Sequence, residues 1–202
     1  MKQKTCFILI DGNNFYFKLK SLNLHNLLEF DFLTFSNFIA KKDKIKMRIY
    51  YVGAVRTDGN KHTQRLFNAQ RKLLSHLRKN KYKYSLGYLL KSGGKYHEKG
   101  VDVNIAVDIL VAAYEKQCDR IILVSSDTDL LPAIKKAKEK GVSIEYIGFS
   151  HQPSLAMIAS CTESRLLQKE DLSPLAPAKG TLNKSVGFNG EPHVVNRSNK
   201  PR

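Results

Sequence analysis

The stretch that most constrains this chain is Ile121-Ile-Leu-Val-Ser-Ser-Asp-Thr-Asp-Leu-Leu-Pro-Ala-Ile134. Four apolar residues of β-favouring types break into Ser125, Ser126, Asp127, Thr128 and Asp129. A helix-like run with Pro132 near its start follows. The pattern predicts a buried strand, an acidic turn and a helix. Open α/β sheets bind ligands outside the carboxyl ends of their strands. Carboxylates placed there serve as helix caps or as metal ligands, and the turn alone is compatible with either role.

The same sequence of events occurs at the start of the chain. Cys6-Phe-Ile-Leu-Ile10 is a continuous apolar run, as expected for a strand buried on both faces, and it stops at Asp11-Gly-Asn-Asn14. Further strands are expected over 46–54, 82–90 and 142–147, with an edge strand near 165–168. Helical patterns cover 30–40, 62–80, 101–115, 130–140 and 153–160, while 91–95 reads as a flexible loop. Strands alternating with helices give an α/β fold with a mainly parallel sheet of about five strands. The 101–115 helix is apolar almost all round, which predicts burial of most of its surface. From Leu172 onward Pro and Gly punctuate a stretch with few large apolar residues. The expected organisation is one domain over 1–170 and a disordered basic tail over 171–202.

Charge narrows the partner. The net charge is +16, from 34 Lys and Arg against 18 Asp and Glu. Such an imbalance favours a polyanion, with nucleic acid ahead of an acidic membrane surface. Between Arg56 and Lys99 there are twelve basic residues, opposed by Asp58 and Glu98 alone, so +10 of the charge lies in this segment. Arg65, Lys72 and Lys79 recur every seven residues as a helical stripe. Tyr82, Tyr84, Tyr88 and Tyr96 interleave with the basic residues, and exposed tyrosines stack on unpaired bases. No apolar run is long enough to span a membrane, and the run before Asp11 is too short for a signal-peptide core. Cys6, Cys118 and Cys161 are odd in number and lack metal-ligand spacing, which fits free thiols in a reducing cytoplasm.

Acids recur where chemistry is expected. In a doubly wound sheet the first and fourth strands are neighbours, which brings Asp11 beside Asp127. Like charges that close are unfavourable unless a cation lies between them. Oxygen ligands without a Cys or His cluster favour Mg²⁺ or Mn²⁺ over Zn²⁺. Each acid also has a structural reading: Asp11 as a turn residue, Asp127 or Asp129 as an N-cap, Asp102 as a first-turn acid. Asp108 lies within an apolar helix and needs a partner, whether metal, basic side chain or backbone donor. Asp102 and Asp108 differ by about 240° around a helix axis, so both cannot point at one spot from a regular helix. No Ser-His-Asp set, Cys-His pair or Walker loop is evident.

Three blocks then carry a resemblance. Ile8-Leu-Ile-Asp-Gly-Asn-Asn14, Lys99-Gly-Val-Asp-Val-Asn-Ile-Ala-Val-Asp108 and Ile122-Leu-Val-Ser-Ser-Asp-Thr-Asp-Leu-Leu-Pro-Ala133 resemble the signature blocks of the NYN domain, in the LabA-like branch of the PIN-like nuclease superfamily. The likeness runs from about residue 5 to 168. It implies a PIN-like three-layer α/β/α sandwich and a Mg²⁺- or Mn²⁺-dependent ribonuclease. Asp11, Asp127 and Asp129 fall on the family's acidic positions. Both Asp102 and Asp108 are carried as candidates for the helix acid. Ser126 departs from the Gly found in many relatives. On this reading Asp11, Asp127 and one or both of Asp102 and Asp108 hold the metal. Asn13, Ser125 and Thr128 contact a water or phosphate, while Lys99, Arg65 and Lys72 position the nucleic-acid backbone. The expected partner is single-stranded RNA, not a membrane; a homodimer stays open. The alternative is a non-catalytic RNA-binding or regulatory module that keeps the fold. The acids weigh against it, because a pure binder gains nothing from carboxylates facing a polyanion.

Overall fold

The computed structural model describes residues 3–56, 59–92 and 95–176, with side chains described throughout those ranges except at 91–96. The strands are β1 (Thr5–Asp11), β2 (Lys44–Val52), β3 (Lys83–Leu86), β4 (Tyr88–Ser92), β5 (Lys95–Lys99), β6 (Arg120–Val124), β7 (Ser143–Phe149) and β8 (Glu163–Leu167). The helices are α1 (Gly12–Ser21), α2 (Phe32–Ala40), α3 (Lys61–Lys79), α4 (Val101–Tyr114), α5 (Leu131–Glu139), α6 (Leu155–Ser160) and α7 (Lys169–Leu172).

Six strands form one sheet in the order β3-β2-β1-β6-β7-β8, and every pairing within it is parallel. Helices cover both faces, giving an α/β/α sandwich. Side chains alternate along each strand, so Cys6, Ile8 and Ile10 of β1 enter a core shared with α1, α2 and α3. Phe7 and Leu9 enter a second core shared with α4 and α5. Burial on both faces explains why β1 and β6 are continuous apolar runs. The expected edge strand pairs with β7 along its whole length, so the sheet has six strands rather than about five.

Four other expectations change. The strand expected over 82–90 is split at Gly87. There the amide donates to Val52 O, and a Cβ would lie 2.7 Å from Val101 Cγ2. β4 and β5 form a separate antiparallel pair that takes in residues 91, 92 and 95 of the flexible loop expected over 91–95, while residues 93 and 94 lie outside the described residues. Helix α4 buries Val101, Ile105, Ile109 and Ala112, yet Val103, Val107 and Tyr114 are exposed. An apolar surface all round does not tell which face meets the sheet. Lastly, Leu172, Leu175 and Ala176 are buried in the first core, and Asp31 donates its amide to Leu175 O. The folded body therefore continues past residue 170. Residues 177–202 of the expected tail lie outside the described residues.

A buried ionic cluster fastens the amino-end side of the sheet. Glu145 of β7 is 1% exposed and meets Arg120 of β6 at 2.6 Å and Arg165 of β8 at 3.2 Å. Arg120 also reaches Asp43 at 2.9 Å and donates to Ala40 O. Arg165 donates to Ile39 O. The last turn of α2 is thereby tied to three strands through its free carbonyls.

Candidate active site

The chain crosses from one side of the sheet to the other between β1 and β6. Ile10 pairs with Val124, so the residues that follow, Asp11 and Ser125, emerge together at the carboxyl edge. This is the switch point where such sheets bind ligands.

Asp11 ends β1 and caps α1. Its Oδ1 accepts from the Asn14 amide at 3.0 Å, and its Oδ2 accepts from Ser125 Oγ at 2.9 Å. Gly12 permits this abrupt entry: a Cβ there would meet the Tyr50 ring and lie 2.6 Å from Tyr51 O. Ser125 also accepts from the Asp127 amide at 3.1 Å. Its hydroxyl thus joins the two acidic turns. Asp127 Oδ1 accepts from the Asp129 amide at 2.9 Å, capping a single 3₁₀ turn over Thr128–Leu130. Capping does not remove Asp11 and Asp127 from the carboxylate group: each caps a helical turn through Oδ1 and also offers a carboxylate oxygen to a group with Asp102.

Asp102 completes the cluster. It lies in the first turn of α4, whose N-cap is Gly100 in the left-handed region, where the Tyr88 ring fills the space a Cβ would take. One carboxylate oxygen from each of Asp11, Asp102 and Asp127 lies within 4.8 Å of the others. Asp11 is buried, Asp127 half-buried and Asp102 exposed. Burial pushes the Asp11 carboxyl up to about 6; the Asn14 and Ser125 hydrogen bonds oppose the rise, and the Asp102 and Asp127 charges add to it. Asp102 is raised by desolvation, then by Asp127 and Asp129. Three converging carboxylate oxygens, with Asp11 and Asp102 both raised by desolvation and by neighbouring acids, suit a hard divalent cation, which would relieve their repulsion.

Asn13, Phe17 and Glu98 line the same pocket. Glu98 was missed as a site residue. It reaches over from β5, accepts from Asn13 Nδ2 at 3.3–3.4 Å and packs where Gly53 has no side chain. Desolvation raises its carboxyl, Asn13 opposes this, and Asp102 adds to the rise. One signal was available: Glu98 is one of only two acids in the basic segment and lies four residues before Asp102.

The remaining expected residues fall elsewhere. Asp108 is not in the cluster; its Oδ2 accepts from the Tyr51 hydroxyl at 2.6 Å. Asp129 and Thr128 are exposed on the 3₁₀ turn. Arg65 and Lys72 are exposed on α3, and Lys99 is exposed on β5 opposite Tyr88. Gln70 ties α3 to the segment that follows β2, donating to Gly53 O at 2.6 Å and accepting from the Val55 amide at 2.9 Å. Among the tyrosines, Tyr82 is buried and bonded to Ser36, Tyr84 lies under Arg78, and Tyr88 is exposed. Tyr96, Lys91 and Lys95 lie outside the described side chains, and Asp58 lies outside the described residues.

The NYN domain family profile matches residues 5–167, which span every strand and helix that builds this pocket. The chain belongs to the NYN domain family. The NYN fold here is similar to the crystal structure of VPA0982, a protein of unknown function from Vibrio parahaemolyticus. The TM-score is 0.60 at 21% identity, covering 83% of this chain and 96% of that one. A weaker likeness, with a TM-score of 0.44 at 16% identity, is to T5 5'-exonuclease bound to zinc, over 76% of this chain and 60% of that one. In sequence, 48 residues are 46% identical to the uncharacterised protein MJ0482 of Methanocaldococcus jannaschii. That stretch is 24% of this chain and only 20% of that protein. No helix among the described residues is long and apolar enough to cross a membrane.

Proposed function

We propose that this NYN protein, of the LabA-like branch, is a metal-dependent ribonuclease that hydrolyses phosphodiester bonds of single-stranded RNA in the cytoplasm. The observation that carries the reading is the convergence of Asp11, Asp102 and Asp127 at the sheet's switch point, on a chain of net charge +16. Carboxylates repel a phosphodiester unless a cation neutralises them, and a basic exterior attracts one. The two features together suit hydrolysis better than binding alone.

Asp11, Asp102 and Asp127 would hold Mg²⁺ or Mn²⁺. The bound ion supplies Lewis-acid stabilisation of the phosphoryl charge and a more acidic water. The chain's own residues do the rest. Ser125 fixes the Asp11 carboxylate and the Asp127 backbone in one arrangement. Glu98 orients the Asn13 amide at the pocket, where its second N–H can reach a phosphoryl oxygen. Thr128 and Asp129 border the exit of the turn. Lys99, Arg65 and Lys72 supply the positive field that tracks the backbone.

The test is cleavage of labelled single-stranded RNA by wild type and Asp11→Asn, with Mn²⁺ and with EDTA. Cleavage is expected from wild type with Mn²⁺ and from neither protein in EDTA. Cleavage that survives both the substitution and the chelator would sink the reading.

A further inference from the structure

Phe17 is an aromatic ring held at the surface of a pocket whose other walls are largely carboxylates and amides. It is 42% exposed, while its neighbours on α1, Phe15, Tyr16 and Leu19, are buried. It follows Asn13 by four residues, so the two side chains rise from one helix face. Both line the pocket that contains Asp11, Asp102 and Asp127. The ring is held edge-on by Tyr16, with centroids 5.5 Å apart and planes at 73°. The Lys20 ammonium lies 5.9 Å from its centroid. A neutral ring offers a phosphate neither charge nor a hydrogen-bond donor. A flat π surface with a lysine beside it matches a nucleobase and its neighbouring phosphate.

We propose that Phe17 is a nucleobase-stacking site. It holds the base adjoining the phosphodiester at the carboxylates, with Lys20 on the flanking phosphate. Bases inside a duplex have both faces covered by their neighbours, so the site selects unpaired nucleotides. The proposal rests on the nuclease reading and adds the determinant of strand state.

The chain contains no tryptophan, so Phe17→Trp introduces a single indole reporter. In EDTA, a single-stranded oligonucleotide is expected to quench that fluorescence to saturation, and a duplex of equal length to leave it nearly unchanged. By fluorescence anisotropy, Phe17→Ala is expected to bind the single strand roughly tenfold more weakly than wild type. An abasic strand of equal charge should bind both proteins alike. Unchanged affinity in Phe17→Ala, or equal loss on the abasic strand in both proteins, overturns the stacking site. If Asp11→Asn still abolishes cleavage in that event, the nuclease reading stands. A wild-type protein that neither binds nor cuts nucleic acid overturns both.

Discussion

The Tyr51 hydroxyl donates a 2.6 Å hydrogen bond to Asp108 Oδ2, so the second aspartate of α4 is answered by β2 and not by the carboxylate cluster. Tyr51 is fully buried beside Asp11 in the strand register. Its burial, and then the Asp108 bond and charge, push the phenol's pKa upward and keep it a donor. The bond fastens α4 to β2 six residues beyond Asp102.

It follows that the two acids of α4 separate on mutation. Asp102→Asn is expected to abolish cleavage, whereas Asp108→Asn keeps it within about tenfold of wild type. Tyr51→Phe should lower unfolding free energy by about 1–3 kcal/mol, because it leaves a partly buried acceptor unpaired. Single-turnover RNA cleavage and urea denaturation measure the two effects. Equal losses in Asp102→Asn and Asp108→Asn would return Asp108 to the cation site.

Asp11 sets a pH dependence of stability in the cation-free protein. Its carboxyl is raised from 3.8 to about 6, so the fold favours its protonated form. The associated stability is present below pH 3.8 and is lost as pH rises to about 6, a change of about 3 kcal/mol. Asp11→Asn keeps a competent N-cap and removes the buried charge. In EDTA it should be more stable than wild type by about 1–3 kcal/mol at pH 8, and nearly equal to it at pH 4. Denaturant titrations at the two pH values decide the sign, and a variant that is weaker at pH 8 would contradict the assignment of strain to this charge.

Cation binding should be visible without any substrate. At pH 8, Mg²⁺ or Mn²⁺ at a hundred times its dissociation constant is expected to stabilise wild type by about 2.7 kcal/mol, seen as a rise in Tm. Asp127→Asn removes one of the three converging carboxylates and should flatten that response. Identical Tm shifts in the two proteins would place the cation elsewhere.

The ionic cluster around Glu145 makes a stability prediction independent of the pocket. Glu145→Gln leaves Arg120 and Arg165 without their shared buried carboxylate, and loss of one partner in such a cluster costs about 3–5 kcal/mol. Hydrogen exchange should show the loss at β6–β8 and the end of α2. A change below 1 kcal/mol would mean that Asp43 alone satisfies Arg120.

Much of this was legible in the chain. The five-residue apolar run ending at Asp11 and the four-residue run ending at Ser125 place two acids at neighbouring strand ends, because a buried parallel strand has no alternation to confuse its limits. The six-residue spacing of Asp102 and Asp108 showed that a regular helix cannot present both to one point. It did not show which of the two faces the pocket, since that depends on the rotation of α4, set by Ile105, Ile109 and Ala112 against the sheet. Glu98 was obscured by the hairpin. Its approach to Asn13 depends on Gly53 and Gly87 admitting side chains into space that a Cβ would close, a tertiary fit with no periodic signature. Burial of Leu172 and Leu175 was missed because their flanking prolines and polar residues outweigh two apolar positions in any composition count.

The hydrogen bond between Ser125 and Asp11 joins residues 114 positions apart, across the join between the two halves of the sheet. Pairing at such separation carries a large loop-closure cost and is slow to form. β1 can meet β2 early during synthesis, but Asp11 gains Ser125 and Asp127 only once β6 has been made and inserted. A nascent chain therefore carries its basic segment, residues 56–99, before its acidic centre is complete. Such a chain would be a binder of nucleic acid before it could be a hydrolase, and completion of the sheet would be the event that arms it.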